Sequence, residues 1–129
     1  MFELTINGAV YQFKFGMGFM RELNKLVKKP VDGLNIEQNM GLQYYVAGVI
    51  DGDLETLVEV LFTANKTEKP RVTKEALDAY IDDEDTDIDK LFEDVLDFLK
   101  NSNATKKTTL GLLEELEKAK AKAEAKAEA

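Results

Sequence analysis

Between Asp82 and Asp94, the residues Asp83, Asp85, Asp87, Asp89 and Asp94 fall at the first, third, fifth, seventh and twelfth positions of an EF-hand register, a spacing that would surround a calcium ion with oxygen ligands. Three departures count against that reading. Ile88 stands where the loop needs glycine for its turn, Lys90 brings a positive charge among the ligands, and Asp94 is shorter than the bidentate glutamate of such loops. Asp87 and Asp89 also suit the positive end of a following helix. The run therefore reads as a capped acidic turn, with weak calcium binding as the functional alternative. A second arrangement with chemical meaning is Gly16-Met17-Gly18, which follows a strand pattern and opens a helical one, the context in which glycines admit a pyrophosphate. Arg21 stands where the third glycine would be, and the preceding strand belongs to a hairpin and not to a parallel βαβ unit. The glycines instead predict a sharp strand-to-helix turn, with Met17 and Phe19 plugging the base of the hairpin.

The chain contains no histidine and no cysteine. The usual general base, Ser-His-Asp and Cys-His arrangements, thiolate chemistry and the common transition-metal sites are therefore absent from its repertoire. Its one serine, Ser102, lies in a polar stretch with no base in view. Carboxylates are plentiful, but they sit where helix caps and solvated faces put them. No catalytic residue, metal ligand or cofactor is assigned. Arg21, Lys25, Lys28 and Lys29 are placed on the exposed side of the first helix, without the aromatic side chains that a nucleic-acid surface interleaves. With a formal net charge of −8 over 129 residues, the chain is expected to bind protein and not nucleic acid. It shows neither a secretory signal nor a long uncharged apolar run, so an intracellular location without membrane contact is expected.

The elements that carry these residues are legible from periodicity. Phe2, Leu4 and Ile6 alternate on one strand, and Tyr11, Phe13 and Phe15 on the next. Asn7-Gly8 between them supplies the two positive-φ residues of a type I′ turn. Phe19, Leu23, Leu26 and Val27 recur at helical spacing and would cover the hairpin. Lys28-Lys29-Pro30 and Asp32-Gly33 predict a stop and a turn, and Asn35 to Asn39 a surface connection. Helical stripes follow at Leu42, Tyr45, Val46, Val49 and Ile50, and at Leu54, Leu57, Val58, Leu61 and Phe62, with Asp53 as the cap between them. Thr73 is the expected cap of a short helix through Ala76, Leu77, Tyr80 and Ile81. The strongest stripe is Ile88, Leu91, Phe92, Val95, Leu96 and Leu99. Core burial is expected to stop at about Leu99. The division is a globular α+β domain over 1–101, an N-terminal antiparallel β-hairpin on a mainly helical body, and a polar linker and solvated helical tail over 102–129.

In the tail, Leu110, Leu112, Leu113 and Leu116 are the apolar residues, followed by a run of Lys, Glu and Ala with high helix propensity and no apolar stripe. These leucines are the candidate partner-binding residues, with docking back onto their own domain as the alternative. Lys118, Lys122 and Lys126 repeat at four and repel one another.

The string LTINGAVYQFKFGMGFMRELNK, together with TKEALDAYIDD and DIDKLFEDVLDFLK and the Lys/Glu/Ala tail, resembles the tail assembly chaperones of long-tailed phages and prophages of low-GC Gram-positive bacteria. The resemblance covers nearly the whole chain. It implies a non-enzymatic protein that coats the tape measure protein and keeps it soluble until tail tube subunits polymerise around it. It also implies self-association into a homo-oligomer, action in the host cytoplasm and absence from the mature virion. A different class of function, a small acidic adaptor or regulatory module that binds one folded partner, is the alternative.

Overall fold

The structure, a computed structural model, describes residues 1–30, 33 and 37–128. Strands β1 (Phe2–Ile6) and β2 (Ala9–Phe13) pair antiparallel with Phe2 opposite Phe13, Leu4 opposite Tyr11 and Ile6 opposite Ala9. Asn7 and Gly8 take φ of 52° and 80°, the two consecutive positive values that the tight turn requires. The period of two sends Phe2, Ile6, Phe13 and, just beyond the strand, Phe15 into the core. Helix α1 (Met17–Asn24) follows at once and buries Phe19 and Leu23. Phe19 meets Phe15 edge to face at 5.2 Å, whereas Met17 is 48% exposed and is not the expected plug.

The chain then departs from expectation. Helix α1 ends before Leu26, which is 45% exposed, and Lys28-Lys29-Pro30 is not a stop but strand β3 (Lys28–Pro30), paired antiparallel with β4 (Glu37–Asn39). Lys28 and Lys29 therefore lie on a second hairpin and not on the face of α1. Of the expected turn, Gly33 has φ of 77°; Asp32 and the connection at Asn35 and Ile36 lie outside the described residues.

Helix α2 (Gly41–Ile50) buries Leu42, Val46 and Val49, and contacts α1, α3 (Leu54–Asn65), α5 (Ile88–Asn101) and α6 (Lys106–Glu128). Its approach to α1 is backbone to backbone. A Cβ at Gly41 would lie 1.7 Å from the Leu23 carbonyl oxygen, and the Leu42 N–H donates to Asn24 Oδ1 at 2.9 Å. Helix α3 turns Leu57, Val60, Leu61 and Ala64 inward, while Leu54 is left at the surface. Asp53 is its N-cap residue, but the carboxylate accepts from the Thr56 hydroxyl at 2.6 Å instead of from a backbone N–H.

At the other end of α3, Asn65 is fully enclosed and ties three segments together. Its Nδ2 donates to the carbonyls of Gln12 at 2.9 Å and Pro70 at 3.1 Å, and its Oδ1 accepts from the Val72 N–H at 2.7 Å. The Lys14 N–H donates to the Ala64 carbonyl beside it, joining the end of the first hairpin to α3. Helix α4 (Lys74–Asp82) is capped by Thr73, whose hydroxyl accepts from the Ala76 N–H, and α5 by Asp87, which accepts from the Lys90 N–H. Helix α5 buries Leu91, Val95 and Leu99 and presents Phe98 to Phe2 at 5.3 Å and Phe15 at 6.0 Å. The aromatic cluster at the hairpin base is thus completed from a helix eighty residues later in rough terms, a long-range contact that closes the domain.

Burial does not stop at Leu99. Thr105 and Thr109 are fully enclosed, and the first turns of α6 lie against α2 and α5.

Candidate functional site

The acidic turn is built as a cap. Asp83 Oδ1 accepts from the Asp85 N–H at 3.0 Å, Asp87 is engaged at the start of α5, and Asp94 lies 3.5 Å from Lys90 Nζ. Positions six to twelve of the calcium register, Ile88 to Asp94, are α-helical, so these carboxylates cannot converge as a loop. Among the described residues no group of three or more His, Cys, Asp or Glu is placed to hold a metal ion. At the glycine pair, Gly16 is the N-cap residue of α1 and a Cβ at Gly18 would lie 3.0 Å from Thr67 Cγ2, so the small residue lets α1 approach the loop after α3. Tyr45 on α2 has a displaced titration. Burial raises its pKa, and the nearby Glu59 carboxylate raises it further.

The surfaces that remain are apolar ones. Thr105, just before α6, and Thr109, Leu112 and Leu116 along it share one face by their spacing, and Leu112 packs against the core. The Thr105 hydroxyl donates to the Leu99 carbonyl at 2.7 Å and the Thr109 hydroxyl to the Thr105 carbonyl at 2.9 Å, so both enter the interior with their polar atoms satisfied. Leu110 lies on the adjoining face with Leu113; Leu110 is 51% exposed. From Glu117 to Ala127 every residue of α6 is exposed. The four candidate leucines are therefore divided: Leu112 is turned toward the body, Leu110 toward solvent, and Leu113 and Leu116 are half-buried between them.

A second surface was not legible in the sequence. Phe13, Phe15 and Phe98 floor a recess of about 380 Å³, with Met1, Met17 and the Ser102 to Ala104 turn around it. Met1 is 62% exposed. Flexible, polarizable methionine around an aromatic floor adapts to apolar side chains of varied shape. A third surface, a groove of about 520 Å³, lies between α3 and α4. It has Leu54, Val58 and Ile81 within it and Glu55, Asp78 and Asp82 along it.

A chain with a β-hairpin, a helical body and these apolar surfaces has the equipment for contact with other polypeptides. The family model described as phage tail assembly chaperone protein, TAC, matches residues 3–119. The chain belongs to the phage tail assembly chaperone family. The match takes in the first hairpin, the helical body and α6 through Ala119, so the docked leucine segment is part of the family's chain and not an appendage to it. Comparison with curated proteins and with solved structures gives no match. As a phage assembly chaperone it acts in the host cell while tails are being built. Among the described residues no helix is long and apolar enough to cross a membrane.

Proposed function

We propose that this chaperone binds the tape measure protein and masks its apolar helical stripes until tail tube subunits assemble around it, that it does so without catalysis, and that it leaves before the particle is complete. The observation that carries this reading is the split face of α6. The helix is anchored by Thr105, Thr109 and Leu112, and it presents Leu110 and the edge of Leu113 on a held, solvent-facing surface. An anchored apolar edge binds an amphipathic client helix without the ordering cost of a free tail. The methionine-edged recess at the hairpin base offers a second apolar contact. Many copies of a protein with net charge −8 would also give a coated client the self-repulsion that keeps it dispersed in the host cytoplasm. Copies that associate with one another on the client raise the effective concentration of each weak contact.

Co-expression of the tape measure protein with wild-type chaperone and with the L110E/L113E variant tests this directly. Leu110 is exposed and Leu113 half-buried, so the variant should lose about 1 kcal/mol or less of its own stability, checked by a thermal melt before the client is scored. Its client should move from the soluble to the insoluble fraction. Undiminished client solubility with the variant would remove the α6 edge from the mechanism, and failure of the wild-type protein to hold the tape measure protein in solution or to co-purify with it would end the reading altogether.

A further inference from the structure

The body and the tail of this protein carry opposite charge patterns at matching intervals. Along the α3–α4 groove, Asp78 and Asp82 stand one helical turn apart on α4, with Glu55 on α3. All three are exposed, and none of them is in an ion pair among the described residues. The one cation at the groove, Lys74, is already engaged with Glu59 at 2.7 Å. Leu54, Val58 and Ile81 give the groove an apolar lining, and Leu54 is 42% exposed, unusual for a leucine in a stripe that otherwise faces inward.

On α6 the complement is found. Ala119, Lys122, Ala123 and Lys126 recur at offsets of three, four and seven and therefore share one face. Lys122 and Lys126 are separated by one helical turn, about 6 Å along the axis, the same interval that separates Asp78 from Asp82. Ala119 and Ala123 have no side chain beyond Cβ, so this face can enter a narrow groove while the lysine stems lie along apolar surface and carry their ammonium groups to the rim. Within one chain the two cannot meet. The first turns of α6 are fixed on α2 and α5, the helix runs unbroken to Glu128, and residues 117–127 are exposed throughout.

We infer that the α3–α4 groove receives the end of α6 from a second copy of this chain, with Lys122 and Lys126 set against Asp78 and Asp82 and the two alanines against Leu54, Val58 and Ile81. The contact is heterologous, groove to tail, so each copy keeps a groove or a tail free for the next and the association can extend along a client. This rests on the proposed self-association and names its surfaces. A single contact of this size is weak and salt-sensitive; repeated along a long client it becomes avid.

The test uses the full chain in sedimentation velocity at 50 and 500 mM salt. Wild type should associate with rising concentration, and more weakly at the higher salt. D78K/D82K and K122E/K126E, all at exposed positions and checked for unchanged helix content by circular dichroism, should each weaken association about tenfold or more. The equimolar mixture of the two variants should regain complexes, because the reversed groove then meets the reversed tail, and D78K/D82K/K122E/K126E in one chain should regain self-association. Wild type that stays monomeric at every concentration would overturn both this inference and the self-association on which it rests. Oligomers that ignore the reversals would overturn the groove-and-tail contact alone. So would weakening by D78K/D82K without weakening by K122E/K126E, which would assign the groove to a different segment of the second copy.

Discussion

Asn65 offers the sharpest test of how the body is held. In Asn65→Asp the oxygen that accepts from the Val72 N–H is kept, while the amide nitrogen facing the carbonyls of Gln12 and Pro70 becomes a second oxygen. Protonated, the introduced carboxyl can donate to one of those carbonyls and leaves the other short of a donor, a cost of about 1–2 kcal/mol. Ionised, it sets a carboxylate oxygen against two carbonyl oxygens about 3 Å away in a fully buried site, which raises its pKa by about two units or more above the ordinary value near 4. The sign follows from proton counting. The folded variant holds a proton that the unfolded chain releases, so stability is retained below about pH 4 and is lost as pH rises toward the elevated folded-state value. At about 1.4 kcal/mol per unit, roughly 3 kcal/mol or more disappears between pH 4 and pH 7, in addition to the loss already present in acid. Urea unfolding of wild type and variant at half-unit pH steps gives the difference directly, with Asn65→Ala as a control whose deficit should not vary with pH. A deficit for Asn65→Asp that is constant within about 0.5 kcal/mol across that range would refute the claim that Nδ2 serves as a donor to both carbonyls.

Gly41→Ala should cost about 3 kcal/mol or more, because its Cβ would fall on the Leu23 carbonyl oxygen and on backbone atoms that cannot turn aside; Gly111→Ala, with nothing within 4 Å, should instead stabilise by about 0.5–1 kcal/mol, and thermal melts distinguish the two. Removing residues 118–129 should leave the unfolding midpoint of the body in place, whereas removing 102–129 strips Thr105, Thr109 and Leu112 from the interior and should cost about 2–4 kcal/mol by the same measurement. Tyr45 should ionise above the ordinary tyrosine value in an absorbance titration, with that late phase missing from Tyr45→Phe; since its folded-state pKa is raised, its contribution to stability is intact below pH 10 and declines as pH climbs through the elevated value.

The parts of the fold that announce themselves are those in which one physical signal is sufficient. Asn7-Gly8 between two alternating runs specifies the first hairpin, and the stripes at Leu42 to Val49 and Leu91 to Leu99 specify their helices, because periodicity and burial agree at each. The strands Lys28–Pro30 and Glu37–Asn39 carry no alternation and are composed of polar residues and proline, so only their pairing marks them as strands. Asn65 looks like an ordinary polar residue at a helix end; its three partners come from β2 and the loop after α3, and no local pattern brings them together. Thr105 and Thr109 are hidden by their chemistry, since threonine counts as polar until its hydroxyl is seen to bond a nearby carbonyl, that of Leu99 at the end of α5 for Thr105 and that of Thr105 for Thr109. Their spacing to Leu112 was the available signal. The candidate leucines are the apolar part of the tail, yet which of them turn inward depends on α2 and α5, elements that the tail's own sequence does not describe.

The position of α2 at the meeting point of four helices has a consequence for synthesis. Its inner residues Leu42, Val46 and Val49 appear well before the wall supplied by Thr105, Thr109 and Leu112, which leaves the ribosome only after α3, α4 and α5. A nascent chain therefore carries an unfinished interior until the segment that also bears Leu110 arrives. Maturation and readiness to engage a client are in this way tied to one event, the docking of the first turns of α6.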